Sequence, residues 1–457
     1  MVMDEMHRGG HAVPSAPISR RAFIRLAGLA PLGISLPPAL EATQGSSFGK
    51  AKRCLMLFMW GAPSHIDLFD MKPEAPAEIR GPFNPLKNVP NDALISELMP
   101  KLASVSDKIG FIRSVAHSDN NHSTSAHWML TGHKHPLSRE NFGARPSDFP
   151  NIGSVVSKLA PGKGGLPDFV SLPETIGTTA GFVTPGQHGG FLGRQYDPFV
   201  LGKKPVDEDF QVPNLSPVEG LSRPRFDSRL GLIRELDGLG RSLGNSVDLD
   251  DLNSVNQQAI DLLTSPKVAK AFDLSAEGKK ERERYGMQPF GQSLLLARRL
   301  MESGVKMVTV YWHRGKIGWD THKDNFNGLK DYLVPQADQP IAHLLNDLET
   351  RGMLDDTLVF WNSEFGRTPK VNKNAGRDHW GRCNTVWMAG AGIPGGQAYG
   401  KSDKTASAPV EKPVSPEDVI ATVYHLLGLE PHSYYLDQLN RPVRLAEGEV
   451  LKEFMGA

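Results

Sequence analysis

Cysteine is nearly absent: Cys54 and Cys383 are the only two in 457 residues. They allow at most one disulfide, which excludes small cross-linked scaffolds and leaves the fold to a hydrophobic core. Cys54 opens an apolar run, where a buried free thiol is the commoner state. Net charge is lacking as well, since 51 Lys and Arg offset 51 Asp and Glu. No basic field invites nucleic acid, and no charge run marks a disordered tail. No tandem repeat is visible. A membrane-spanning run is also missing: the apolar stretch Leu26 to Leu40 is broken by Pro31, Pro37 and Pro38, too short and interrupted to cross a bilayer stably.

Ahead of that stretch stands Ser19-Arg20-Arg21-Ala22-Phe23-Ile24-Arg25, a close match to the twin-arginine export pattern. Residues 1–42 therefore read as a signal peptide, with Ala42 a candidate last residue before cleavage. The expected location is the periplasm or cell envelope of a bacterium; a basic cytosolic amino terminus is the competing reading. This route carries folded proteins, often with a metal aboard. Gly 46 and Pro 35 are above average usage and predict many loops between short elements.

The rest of the chain alternates apolar strand-length runs with amphipathic helical segments. Cys54 to Trp60 is continuously apolar, as in a strand buried on both faces. Lys108 to Val115, Phe169 to Leu172, Lys306 to Trp312, Thr357 to Trp361 and Asn384 to Gly390 read as further strands. Helices are predicted over Ala126 to Gly132 (with Ser123 or Ser125 as cap), Gln292 to Glu302 and about Tyr332 to Arg351. Pro335 and Pro340 give the last a late start or a kink. Ser415-Pro416-Glu417-Asp418 opens another with a capping box and proline in the first turn. Residues 137–225 are loop-rich with short strands, and Phe226 to Tyr285 is helical in pattern and reads as a lid or interaction surface; together they make an insertion at about 137–285. The alternation means α/β with a largely parallel sheet.

Three predicted strands end in similar chemistry. After Trp60 come His65 and Asp67; after Trp312, Asp320 and His322; after Trp361, Glu364, Arg367, Arg377, Asp378 and His379. Ligands in open α/β sheets bind at the carboxyl ends of strands. Carboxylates and imidazoles converging there suit zinc, manganese or iron, and two metals if enough ligands meet. Taken singly, each acid–histidine pair reads equally as a surface hydrogen-bonding pair.

The stretches Trp60 to Pro73, Asn121 to His127, Gly318 to His322, Asn362 to Pro369, Gly376 to Trp380 and Ser415 to Arg444 together resemble the exported bacterial family known as domain of unknown function 1501. That family lies within the alkaline phosphatase and sulfatase superfamily. The resemblance runs from about residue 50 to the end. It implies an alkaline phosphatase-like α/β sandwich, its central sheet flanked by helices, with one or two divalent ions (zinc, manganese, calcium or magnesium). It places Asp320, His322, Glu364 and His379 at metal positions, while Phe365 stands where the superfamily has a ligand. The superfamily's first-strand aspartate has no match at Gly61, so His65 or Asp67 is expected to supply that ligand. Aligned on Leu130-Thr131-Gly132, His122 falls at the nucleophile position with Ser123 beside it. Ser123 is then a nucleophile at a helix amino terminus, or else a plain cap, with His122 a ligand or a base for a metal-bound water. Arg367 or Arg377 holds the substrate anion.

The expected function is hydrolysis of a phosphate or sulfate ester, of a small molecule or a polysaccharide. A non-catalytic metal-binding protein of the same fold, or a cell-envelope protein partner, are the alternatives. Export gives the first test. Replacing Arg20 and Arg21 together by Lys is expected to hold the protein in the cytoplasm, since the guanidinium pair rather than charge alone is read; periplasmic fractionation of the double variant measures it, and normal export would refute the signal.

Overall fold

In the computed structural model, which describes residues 47–87, 89, 94–162, 165–206, 210, 228, 265–312 and 318–456, the apolar run at Cys54 forms β1 (Arg53–Phe58). The other strands that matter here are β2 (Ile109–Val115), β3 (Phe169–Leu172), β4 (Phe199–Val200), β5 (Met307–Tyr311), β6 (Thr357–Asn362), β7 (Gly366–Arg367), β8 (His379–Trp380), β9 (Asn384–Ala389) and β10 (Gln397–Tyr399). Eight of them make one sheet in the order β10-β2-β9-β6-β1-β5-β3-β4. β9 is antiparallel to both neighbours, β2 and β6, and every other adjacent pair is parallel. The fold is α/β with a largely parallel central sheet.

Alternate residues of β1 enter different layers, as the two-residue period of a strand requires. Leu55 and Leu57, with Met59 just past the strand, pack with the helices α3 (Pro289–Ser303) and α4 (Asp338–Thr350); Cys54, Met56 and Phe58 pack with α1 (His122–Thr131), α2 (Ile152–Leu159) and α5 (Pro416–Leu426). Each fully buried Leu, Met or Phe contributes about 1.5–3 kcal/mol, so a core of this size needs no cross-link. Both cysteines are free and buried. Burial pushes both thiols well above the usual range, which keeps them protonated.

Register sets the functional edge. Phe58 lies opposite Tyr311 on one side and Asn362 on the other, so β1, β5 and β6 end level and their following loops leave the sheet together. β9 runs the other way, and its first residue, Asn384, pairs with Val115 at the end of β2. The chain from Asp378 to Cys383 therefore enters the sheet at the edge where the other loops leave.

Several boundaries differ from the sequence reading. α1 begins at His122, and its N-cap is Asn121, so neither Ser123 nor Ser125 caps it; Gly132 closes it in the left-handed conformation. α4 takes the late start, with Pro340 in its first turn. α5 has the expected capping box between Ser415 and Asp418. Of the insertion, α2, β3, β4 and the helices Pro266–Phe272 and Lys279–Tyr285 are described; β3 and β4 belong to the central sheet, and Val268, Ala271, Phe272 and Tyr285 of the two helices lie in the core. Buried Arg298 of α3 ties this layer together through Glu277 at 3.0 Å and Asp347 at 3.1 Å. The segment read as a signal peptide, with Arg20 and Arg21, and residues 211–227 and 229–264 of the insertion, lie outside the described residues. Among the described residues no helix is long and apolar enough to cross a membrane.

The loop that follows α1 is seated by two imidazoles, His127 buried and His133 partly buried. His127 donates from Nδ1 to the His133 carbonyl at 2.9 Å, and the His133 ring stacks on Phe149 at 3.9 Å. Burial, with the neighbouring His135 acting in the same sense, lowers His127 to about 3, and burial lowers His133 to about 4. Below the unfolded pKa of about 6.5 the unfolded chain takes up protons that these folded rings refuse. Their contribution is thus complete above that pH and is lost as pH falls towards 4. Urea midpoints are expected to drop between pH 7 and pH 4.5, and the drop to shrink in His133→Gln by an amount on the order of 1–2 kcal/mol. Equal pH slopes for parent and variant would contradict this.

Candidate functional site

Where β6 ends, Glu364 turns inward and is fully buried. Its Oε1 accepts from the Gly61 amide at 2.8 Å, just past β1, and from His122 Nδ1 at 2.6 Å, at the start of α1. Gly61 has φ +103°, and a Cβ there would lie 2.6 Å from the Asp320 nitrogen. Only glycine fits so close an approach of two backbones. Three strand-end loops thus meet around one carboxylate. The small β7–β8 ladder, which pairs Arg367 with His379, brings in the fourth.

Asp320 is the hub. Its Oδ1 accepts from Arg367 Nη2 at 2.7 Å and lies 3.1 Å from His322 Nε2 and 3.2 Å from His379 Nε2, while Oδ2 lies 3.4 Å from His122 Nε2. The opposite nitrogen of each ring has an acceptor of its own: Asp378 Oδ1 for His322 at 2.7 Å, the Asn120 carbonyl for His379 at 2.8 Å, and Glu364 Oε1 for His122. Such partners hold the proton of a neutral imidazole on Nδ1 and turn a lone pair outward at Nε2. The Nε2 atoms of His322 and His379 face each other at 2.9 Å beside a carboxylate oxygen. Acceptors gathered in this way repel unless protons or a metal cation sit among them. Imidazoles whose second nitrogen is fixed by a carboxylate or carbonyl are the usual metal-ligand arrangement. His122, Asp320 and His379 offer ligand atoms within 4.8 Å of one another, and Glu364 Oε2 is buried without a partner. The residues fit a divalent metal.

The ionisation of these groups follows the same geometry. Burial alone would raise Asp320, but hydrogen bonds from His122, His322 and His379, with Arg367 beside them, hold its carboxyl far below the usual range. Burial alone would lower His122, yet the carboxylates of Asp320 and Glu364 push it up to about 9. Asp320 also raises His322, whereas burial lowers His379, with the nearby charges of His122 and Arg367 adding to it. The His322 contact lowers Asp378.

One face of the cluster opens on a cavity of about 210 Å³, lined by Trp60, His122, Glu140, Thr178, Asp320 and His379 among others. The Phe365 ring lies 5.0 Å from His122 and 4.6 Å from His379 and fills the space behind them. Glu140 accepts from the His122 amide and, at 3.4 Å, from the Ser123 amide, so its carboxylate occupies the amino terminus of α1.

The structure brings together six of the residues singled out by sequence: His122, Asp320, His322, Glu364, Arg367 and His379. It sets four apart. Arg377 and Asp67 are fully buried and form a bidentate pair, with both contacts at 2.8 Å and Asn325 donating to the same carboxylate at 2.9 Å. Neither faces Asp320: the pair bridges the loop after β1 to the loop before β8. His65 joins Asp70 and Cys383 in a separate buried group, with its ring bound to the Ala406 carbonyl at 3.1 Å and to the Arg367 amide at 3.3 Å. The Ser123 hydroxyl is buried, without a partner, and outside the cavity lining. Arg367 is fully buried too; its other donors go to the carbonyls of Gly61, Ala62 and Arg377. Sequence reasoning missed Glu140, which sits in a Gly- and Pro-rich loop without periodicity, and the Asn120 carbonyl, which no side-chain pattern can signal.

The sequence model of the family described as Protein of unknown function (DUF1501) matches residues 51–455. No curated protein matches. Among solved structures, the PsFucS1 sulfatase from Pseudoalteromonas sp. is similar at 13% identity, covering 85% of this chain and 69% of that one, with a TM-score of 0.38. The lipoteichoic acid synthase LtaP from Listeria monocytogenes is similar at 12% identity, covering 87% of this chain and 76% of that one, with a TM-score of 0.39. The phosphonate monoester hydrolase SpPMH from Silicibacter pomeroyi is similar at 12% identity, covering 89% of this chain and 76% of that one, with a TM-score of 0.37.

The Asp67–Arg377 pair yields a direct test. Removing one member leaves a buried charge uncompensated, at a cost of about 3–5 kcal/mol. Asp67→Ala and Arg377→Met are each expected to lower stability by that order, and the double variant by clearly less than their sum. Bound metal per folded chain is expected to stay at the parent level. Denaturant unfolding and metal analysis measure both; an Asp67→Ala protein of normal stability that has lost its metal would return Asp67 to the ligands.

Proposed function

The chain belongs to this family of proteins of unknown function, and from that premise we propose that it is an exported, metal-dependent hydrolase of phosphate or sulfate esters. The observation that carries this reading is the convergence of the His322 and His379 Nε2 atoms on Asp320, with the Nδ1 atom of each ring tied to an acceptor. A divalent ion held there supplies Lewis acidity toward an ester oxygen and lowers the pKa of water.

The chain's own groups divide the remaining work. Asp320, His322 and His379 hold the ion. Arg367 binds Asp320 and three carbonyls, so it offsets the carboxylate's charge and fixes its position rather than reaching for substrate. Ser123, buried outside the cavity lining, is poorly placed as a nucleophile, which favours water. Glu140 lines the cavity, and a carboxylate with two amide contacts still has free lone pairs, so it is the group placed to take the proton of an attacking water. A cavity of about 210 Å³ admits an ester group and a small part of the alcohol behind it. The remainder of a small molecule or a polysaccharide stays outside. The second reading, a cell-envelope binding protein that keeps the metal without turnover, is favoured by Phe365, whose ring packs on two of the imidazoles.

Aryl phosphates, phosphodiesters and aryl sulfates, assayed with zinc, manganese, magnesium or calcium, decide between the two. Turnover is expected, lost with the metal in Asp320→Asn, kept in Ser123→Ala, and lowered about 10²–10⁴-fold in kcat by Glu140→Gln. Loss of turnover in Ser123→Ala with metal intact would make that hydroxyl the nucleophile. A metal-loaded protein without turnover on the panel would favour the binding-protein reading.

A further inference from the structure

Glu140 is an unexpected residue in a cavity that receives an anion. Its carboxylate lies on the wall with Trp60, Asp320 and His379, and the amides of His122 and Ser123 fix it there. Among the described residues its contacts are these amides and not a lysine or an arginine. The two guanidinium groups expected to hold the anion are already matched. Arg367 lies 2.7 Å from Asp320 and commits its other donors to carbonyls, and Arg377 is paired with Asp67 away from the cavity. Among the described residues that line the cavity, none is a lysine or an arginine.

Charge at the centre therefore balances before a substrate enters. The carboxylates of Asp320, Glu364 and Glu140 are offset by Arg367 and a divalent ion. The proton that Asp320 and Glu364 favour on His122 is matched by Asp378, 2.7 Å from His322. Each negative charge on a substrate then meets the Glu140 carboxylate uncompensated. Across a cavity of about 210 Å³, with an effective dielectric constant of about 20, that repulsion costs a factor on the order of 10–10² per charge.

Resting on the hydrolase reading above, we infer that the cavity selects esters carrying a single negative charge, and that Glu140 is the residue that excludes a second. Sulfate monoesters and phosphodiesters meet this condition at neutral pH. Phosphate monoesters do not, because their second proton leaves at a pH of about 6 and the dianion then faces a fixed carboxylate. Selection is separable from the role of Glu140 as a base. Losing a base slows every ester alike, whereas losing a wall charge changes the preference between them.

The test compares methyl phosphate with dimethyl phosphate, two anions of similar shape whose charges at pH 7.5 differ by about one. Titration calorimetry with the full, zinc-loaded chain reads their binding without turnover. Dimethyl phosphate is expected to bind about 10–10²-fold more tightly at pH 7.5, and the gap to close towards pH 5.5 as methyl phosphate becomes a monoanion. Dimethyl phosphate is also the control for the protein's own titration over that range. In Glu140→Gln the ratio at pH 7.5 is expected to fall about tenfold; in Glu140→Asp, which keeps the charge, it is expected to stay near the parent value. The kcat/KM ratio of an aryl phosphodiester to an aryl phosphate is expected to move in the same direction, although both rates fall with the lost base. Tighter binding of methyl phosphate by the parent at pH 7.5, or an unchanged ratio in Glu140→Gln, would overturn the inference. Failure of the zinc-loaded parent to bind either anion would instead overturn the hydrolase reading itself.

Discussion

The level ending of β1, β5 and β6 is the constraint on which the site depends. Parallel strands in register end at one edge, and Phe58, Tyr311 and Asn362 are neighbours there. The loops that follow have little room to diverge, and the Gly61 backbone lies so near Asp320 that no Cβ fits between. The charged groups are therefore held in place by backbone contacts. Arg367 illustrates this: its guanidinium spans three carbonyls and the Asp320 carboxylate, joining three loops through one buried cation.

Preorganisation of this kind matters because like groups resist being gathered. Two imidazole lone pairs at 2.9 Å beside a carboxylate are unfavourable unless something fixes each ring from behind. Asp378, Asn120 and Glu364 do so, each on a different ring. Their importance lies in orientation: a buried glutamate in a conspicuous motif acts through the ring it holds.

The central strands were legible because burial on both faces leaves an unbroken apolar run, as at Cys54 to Trp60 and Thr357 to Trp361. The edge where the chemistry collects followed from the same reading. The direction of β9 was not legible, since a strand sequence carries no sign of whether its partners run with it or against it. Side-chain direction within loops was equally hidden. Asp67 and His65 are two residues apart, yet one pairs with Arg377 and the other turns toward Asp70 and Cys383. Glu140 had no pattern to announce it, being recruited to the first turn of α1 by two free amides. Ser123 was misread as a cap because the helix begins earlier than its apolar residues do.

The close approach at Gly61 has an evolutionary consequence. Any change to Asp at this position would drive a Cβ into the Trp319 and Asp320 backbone, 2.8 and 2.6 Å away. A carboxylate there is thus out of reach of single-step mutation, because the loop after β5 would first have to retreat. Substitution at Gly61 therefore requires the loop after β5 to move with it, whereas Thr178 on the cavity wall can change without touching that contact.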